Sequence, residues 1–212
     1  MSVEPIEHIK WLGHDGFEFT ADGVVLVIDP FQVADAPKAD IILITHVHHD
    51  HCSPDDIARL VKPATVIVTE AESAEKLAGL CDDIRVVTPG DRLTVAGIPI
   101  EVVPAYNTDK NFHPKAKSWL GFIVTIDGTR IYHAGDTDLI PEMKSLNVDI
   151  ALLPVSGTYV MTADEAAAAA RLIDPKTVIP MHYDAIVGSK ADARALEAAL
   201  GDRMRVVILE KS

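Results

Sequence analysis

The segment Thr45-His46-Val47-His48-His49-Asp50-His51 places four imidazoles and one carboxylate within seven residues. Four protonated imidazoles in a row repel one another, and nothing about the end of the apolar run Ile41-Ile42-Leu43-Ile44 calls for them. A divalent cation resolves both points, because neutral imidazole nitrogen and ionised carboxylate are ligands that zinc, manganese and iron accept. His46 and His48 are two residues apart and can point the same way. Asp50 and His51 come next, at the entrance of a helix, so one loop can offer two pairs of ligands to two adjacent positions. Asp136 follows a strand in Tyr132-His133-Ala134-Gly135-Asp136-Thr137-Asp138, where Gly135 permits a tight turn that aims the carboxylate inward. A carboxylate has two oxygens and can bridge cations ~3.5–4 Å apart, the spacing of two-metal hydrolases.

Strands must carry these loops. Segments 6–11, 16–20 and 23–28 read as short strands, with Asp22-Gly23 as a hairpin turn and Asp29-Pro30 as a stop. Strand 41–44 leads into the histidines. Ser53-Pro54-Asp55-Asp56 then has a capping serine, a proline at the first helical position and acids in the first turn, marking a helix to about Val61. Strand 65–69 and a helix over 71–78 follow. The second half predicts strands at 84–87, 92–95, 98–103, 119–126 and 130–133, with hairpins at Ala96-Gly97 and Asp127-Gly128. A buried strand at 149–154 comes next, and a capping box at Thr162 opens an alanine-rich helix over 163–173. Strand 177–180 runs to Met181-His182, helix 190–200 ends at Gly201, and 204–209 is a last strand. Two runs of strands flanked by helices, with no linker between them, predict one domain over 1–212 built from two packed sheets covered by helices.

Composition narrows the function classes. The 212 residues carry a formal charge of −13, which argues against nucleic acid or an anionic membrane as partner. Bound divalent ions would make the site itself locally positive. Two cysteines give no disulfide framework, and the sequence up to Pro5 lacks the basic and apolar regions of a leader. No apolar run approaches the ~18 residues of a membrane span. A cytoplasmic protein with a small-molecule substrate is the expectation.

The spacing His-x-His-x-Asp-His resembles the signature of the metallo-β-lactamase-fold hydrolases, and the downstream pieces follow in that family's order from Gly13-His14 to His182. The resemblance is strongest to the small stand-alone metal-dependent hydrolases that include ascorbate-phosphate lactonase-like proteins, a branch that also resembles the phospholipase D acting on N-acyl ethanolamine lipids. It implies an α+β four-layer αβ/βα sandwich of two mixed sheets, with the site at one edge. It makes Asp136 the bridging aspartate and His182 the final histidine ligand, with His46 and His48 serving one ion and Asp50 and His51 the other. The family commonly carries a further histidine just after a strand like Val102-Val103-Pro104-Ala105. Here Tyr106-Asn107 stand there, so His113, six residues beyond Asn107, is taken as that ligand on a longer loop.

Other residues take supporting parts. His14 resembles a pocket-lining Gly-His loop of this branch and is expected to hydrogen-bond a ligand residue or substrate, with a satisfied turn histidine as the equal alternative. Asp29 resembles the family's early aspartate, which accepts an N–H from a ligand histidine and fixes its tautomer. His133 lies an odd number of residues from Asp136 on one strand and so reads as a core or supporting residue. His49 orients the loop, His8 is a surface residue and Cys52 a small buried side chain. Thr158 and Tyr159 can donate hydroxyls to a substrate oxyanion or simply pack their loop.

The function expected from all this is hydrolysis of a small-molecule ester, lactone or phosphodiester by a metal-bound hydroxide. Two divalent ions assist, the imidazoles suiting zinc and the carboxylates also tolerating manganese or iron, and Asp50 orients the nucleophile. The alternatives are a phosphodiesterase acting on nucleotide or nucleic acid, and a non-catalytic metal-binding module. A homo-oligomer would be unsurprising for the branch.

Overall fold

The computed structural model describes residues 5–34 and 36–212, so the stretch read for a leader lies, apart from Pro5, outside the described residues. The first half lays down β1 (Ile9–Gly13), β2 (Gly16–Ala21), β3 (Val24–Ile28), β4 (Ile41–Leu43), β5 (Val66–Thr69) and β6 (Asp83–Val86), with α1 (Pro54–Leu60) and α2 (Ala71–Lys76) between the later strands. They pair in chain order into a sheet that is antiparallel over its first two pairings and parallel thereafter. The second half gives β7 (Arg92–Val95), β8 (Ile98–Pro104), β9 (Leu120–Ile126), β10 (Thr129–His133), β11 (Ile150–Pro154), β12 (Thr177–Met181) and β13 (Arg205–Val206), with α3 (Ala163–Ile173) and α4 (Lys190–Leu200). These strands form the second sheet in order β13-β12-β11-β10-β9-β8-β7, antiparallel among β7 to β10 and parallel from β10 to β13.

Alternation along the strands builds the layers. In β4 and the residue after it, Ile41 and Leu43 join the core between the sheets, while Ile42 and Ile44 join a second cluster with Ile57 and Leu60 of α1. Helices α3 and α4 pack against β11 and β12 on the far side of the second sheet. The alanines at 166, 167, 169 and 170 are buried there, and their small side chains let α3 sit close to the sheet and to α4. The result is the four-layer αβ/βα arrangement of two mixed sheets, an α+β metallo-β-lactamase fold. No helix among the described residues is long and apolar enough to cross a membrane.

Local chemistry sets the boundaries. The hairpin pairs Asp22-Gly23, Ala96-Gly97 and Asp127-Gly128 all take positive φ at both positions, the backbone of a type I′ turn. Thr162 and Ser189 form capping boxes with Glu165 and Asp192. Two expectations need correction. Pro5–His8 forms a 3-10 turn, so the first strand begins at Ile9 rather than at residue 6. The last strand pairs only over Arg205–Val206, because beyond Val207 the chain leaves β12 and crosses to β1, where the Ser212 N–H reaches the Trp11 carbonyl.

The strands that lead into the candidate site residues point their carboxyl ends at one edge. β1, β3 and β4 run the same way in the first sheet, and β8, β10 and β12 do so in the second. The turn after β10 is the tightest of these exits: Gly135 has φ +60°, and a Cβ there would lie 2.6 Å from the Leu120 carbonyl oxygen. Gly135→Ala is therefore expected to cost about 2 kcal/mol or more in denaturant unfolding, from left-handed strain plus that clash, and to misplace Asp136.

Candidate metal centre

All seven proposed ligands meet at this edge. His46 Nε2 lies 2.9 Å from His48 Nδ1, and His46, His48 and His113 offer nitrogens within 4.8 Å of one another. Beside them His51, Asp136, His182 and Asp15 form a second such group, and His14, Asp50, His51 and His182 a third. Asp136 stands between the histidine trio and the rest. Its Oδ2 is 3.0 Å from His113 Nε2, 3.3 Å from His182 Nε2 and 4.0 Å from His46 Nε2, while Oδ1 is 3.4 Å from His51 Nε2.

The far nitrogens of His46, His51, His113 and His182 each meet a partner that fixes the ring's tautomer. Asp29 accepts from His51 Nδ1 at 2.8 Å, from the Thr45 N–H at 2.8 Å and from the Thr45 hydroxyl at 2.5 Å. Having donated its own proton, Thr45 Oγ1 accepts from His46 Nδ1 at 3.0 Å. His113 Nδ1 faces the Asn107 side-chain oxygen and the Tyr159 carbonyl, at 3.1 and 3.2 Å. Ser156 Oγ sits 2.8 Å from His182 Nδ1. The inward Nε2 atoms of His51, His113 and His182, and Asp136 Oδ1, are buried with no hydrogen-bond partner. Orphaned lone pairs converging from four residues are what a cation satisfies, so the donor set fits divalent metal.

The electrostatics point the same way. Burial opposes charge on His51 and His182, but the neighbouring carboxylates together outweigh it, Asp136 and Asp29 raising His51 well above the usual histidine range and Asp136 and Asp15 raising His182 to about 9. Burial lowers His46 well below that range. Asp136 and Asp50 sit below the normal carboxylate range despite burial, Asp136 because of His182 and His51, Asp50 because of His14 and His51. Metal uptake would displace the protons that otherwise balance Asp136.

The supporting residues sort clearly. His14 lies buried with Nε2 3.1 Å from Asp50 Oδ2, so its contact is with a proposed ligand. His133 faces away from the ligands: its Nε2–H donates to the Asp15 carbonyl at 2.9 Å, and its Nδ1 accepts from the Gly135 N–H. His49 is exposed, with Nδ1 3.5 Å from Asp50 Oδ1. Burial pushes the Cys52 thiol up to about 11, which removes it as a thiolate. Thr158 is exposed, and Tyr159 reaches the centre through its backbone carbonyl rather than the hydroxyl expected from the sequence. Its ring instead meets Phe112 edge-on.

Sequence reasoning passed over Asp15, Asn107, Trp119 and Ser156. Asn107 bonds to both the backbone and the ring of His113, and its own amide is held by Asp138 and the Tyr159 carbonyl. Trp119 packs against His46, His48 and His113. Only Asp15, next to His14 between two glycines, carried a readable signal.

Fold and centre together define a hydrolase-type metal site of the metallo-β-lactamase superfamily. The profile of the β-lactamase superfamily domain matches residues 8–182, and the chain belongs to that superfamily. Within it, a UPF0173 metal-dependent hydrolase from Thermococcus onnurineus is 33% identical over 216 residues, covering 95% of this chain and 96% of that one. Another from Methanoregula boonei is 36% identical over 205 residues, covering 91% and 89%. A crystal structure from Parabacteroides distasonis superposes with TM-score 0.86 at 40% identity, over 96% of this chain and 93% of that one. Igni18, a metallo hydrolase from Ignicoccus hospitalis, gives 0.77 at 27% identity over 96% and 95%. The chain is thus a metal-dependent hydrolase by family.

Asp29 touches no ligand atom that faces inward, yet it braces both ends of the loop that carries His46 to His51. Asp29→Asn is expected to weaken metal binding about 10–100-fold, read by calorimetric titration of the metal-free protein, because the amide can no longer accept from both Thr45 and His51.

Proposed function

We propose that the protein hydrolyses an ester, lactone or phosphodiester bond of a small molecule with two divalent cations, zinc being the ion the imidazoles favour. The observation that carries this reading is Asp136, one buried carboxylate with an oxygen toward each of two sets of orphaned ligand atoms. His46, His48 and His113 would hold one cation, Asp50, His51 and His182 the other, with Asp136 shared. When bound, the cations would bring the pKa of water toward ~7 and polarise the scissile oxygen.

The chain's own residues supply the rest. Asp50 is ionised and partly open to solvent, and His14 holds its Oδ2. It therefore accepts a hydrogen bond from the attacking water and aims it, which a neutral carboxyl would do poorly. Trp119 closes one side of the histidine trio and limits water there. Phe112, half exposed and edge-on to Tyr159 beside His113, offers an apolar surface to a substituent of the substrate.

Purified protein assayed against phosphodiesters, lactones and thioesters, with metal content measured in parallel, tests the reading. Chelation is expected to abolish turnover and refilling to restore it. Asp50→Ala is expected to lower kcat by about 100-fold or more with the fold intact by circular dichroism. Normal turnover by that variant or by stripped protein would overturn the proposal, and absence of turnover with every metal would leave a binding module in its place.

A further inference from the structure

Asp15 is fully buried, and neither of its carboxylate oxygens has a hydrogen-bond partner. Every other buried acid among the described residues has at least one oxygen in a hydrogen bond or ion pair. Glu18 takes Lys10, Asp29 takes Thr45 and His51, and Asp56 takes Gln32, Val33 and Ser53. Glu70 takes Ser73 and Glu72 N–H groups, and Asp138 takes Asn107, Thr108 and Lys110. Asp136 faces the ligand histidines. An unpaired carboxylate in such a place is strongly unfavourable, so something must compensate it.

Two groups can do so, a proton or a cation. A proton cancels the charge but leaves the new O–H without an acceptor and the other oxygen without a donor. A cation cancels the charge and satisfies the oxygen together. The surroundings can hold one: Asp15 offers an oxygen within 4.8 Å of ligand atoms of His51, Asp136 and His182. The backbone is pinned so that the side chain keeps this direction. The Asp15 carbonyl takes the His133 ring N–H, while the preceding His14 carbonyl takes the Trp11 indole and the His182 N–H.

We propose that Asp15 is a further carboxylate ligand of the cation held by Asp50, His51 and His182, an assignment that rests on the two-cation reading above. The two metal positions are then chemically unlike. One has three imidazoles and a share of Asp136, a set that suits zinc. The other has two imidazoles and three carboxylates, Asp15, Asp50 and Asp136, a harder set that accepts manganese or iron more readily.

The test titrates metal-free wild type, Asp15→Asn and Asp15→Ser with Mn2+, reading bound ion by electron paramagnetic resonance and Zn2+ occupancy by elemental analysis. The wild type is expected to take up two ions per chain. In both variants the affinity for one of them should fall about 10-fold or more, with Zn2+ at the histidine trio unchanged. Melting without metal should be unchanged or raised by Asp15→Asn, since Asp15 makes no side-chain hydrogen bond that the amide would lose, and the gain in Tm on adding Mn2+ should shrink. Both Mn2+ affinities staying within about threefold of wild type would overturn the proposal, being too small for a lost ligand. So would a metal-free Asp15→Asn protein that melts well below metal-free wild type, the mark of a structural carboxylate. A wild type that binds fewer than two ions would instead overturn the two-cation reading, and this assignment with it.

Discussion

A carboxylate buried among imidazoles is the constraint on which the molecule turns. Asp136 is 4% exposed, and four histidine nitrogens from three separate loops lie within 4.0 Å of it. No single stretch of chain could bring them there. Each loop leaves the end of a strand, and the strands in turn are fixed by an apolar core that runs unbroken between the two sheets. Charge at the edge is tolerated because the layers behind it bury so much hydrocarbon. Strained backbone gathers at the same edge, with His14, Asp29, Gly135 and His182 all at positive φ.

The two halves contribute differently. The first sheet delivers a dense local cluster from the single loop after β4, braced by Asp29 at the end of β3. The second delivers isolated residues, one per strand end, each with its own brace: Asn107 for His113 and Ser156 for His182. Hydrogen bonds across the interface then tie the halves together. The His182 N–H donates to the His14 carbonyl, the Leu120 N–H to the Thr45 carbonyl, and the His133 ring to the Asp15 carbonyl. The edge between the sheets is therefore a joint, and the ligands sit on it.

How far the sequence was legible follows from this division. His46, His48, Asp50 and His51 could be read because their relation is local, a spacing within one loop. Hairpins and caps were local too, and α3 and α4 begin and end where their capping residues place them. His113 was harder because chain distance misleads there. Asn107 and His113 close the intervening loop on themselves, Asn107 N–H to His113 carbonyl and His113 N–H to Asn107 side chain, so the loop delivers the imidazole back to the strand end. Ser156 and Trp119 have no local pattern at all. Their roles arise from what the opposite sheet brings near them, which no period or spacing encodes. The 3-10 turn before Ile9 and the shortened β13 were misread for a related reason, since strand ends depend on neighbours.

Strand β4 has a further consequence. With one set of side chains in the central core and the other under α1, it has no solvent face, and its neighbours β3 and β5 pair with it in parallel on both sides. Amides there are expected to be among the slowest to exchange with solvent. The histidine loop leaves directly from this most protected part, and the Ile44 N–H still bonds to the Val68 carbonyl one residue before the loop begins. The proposed ligands that first catch the eye in the sequence thus follow directly from a strand buried on both faces, and their placement is inherited from the core.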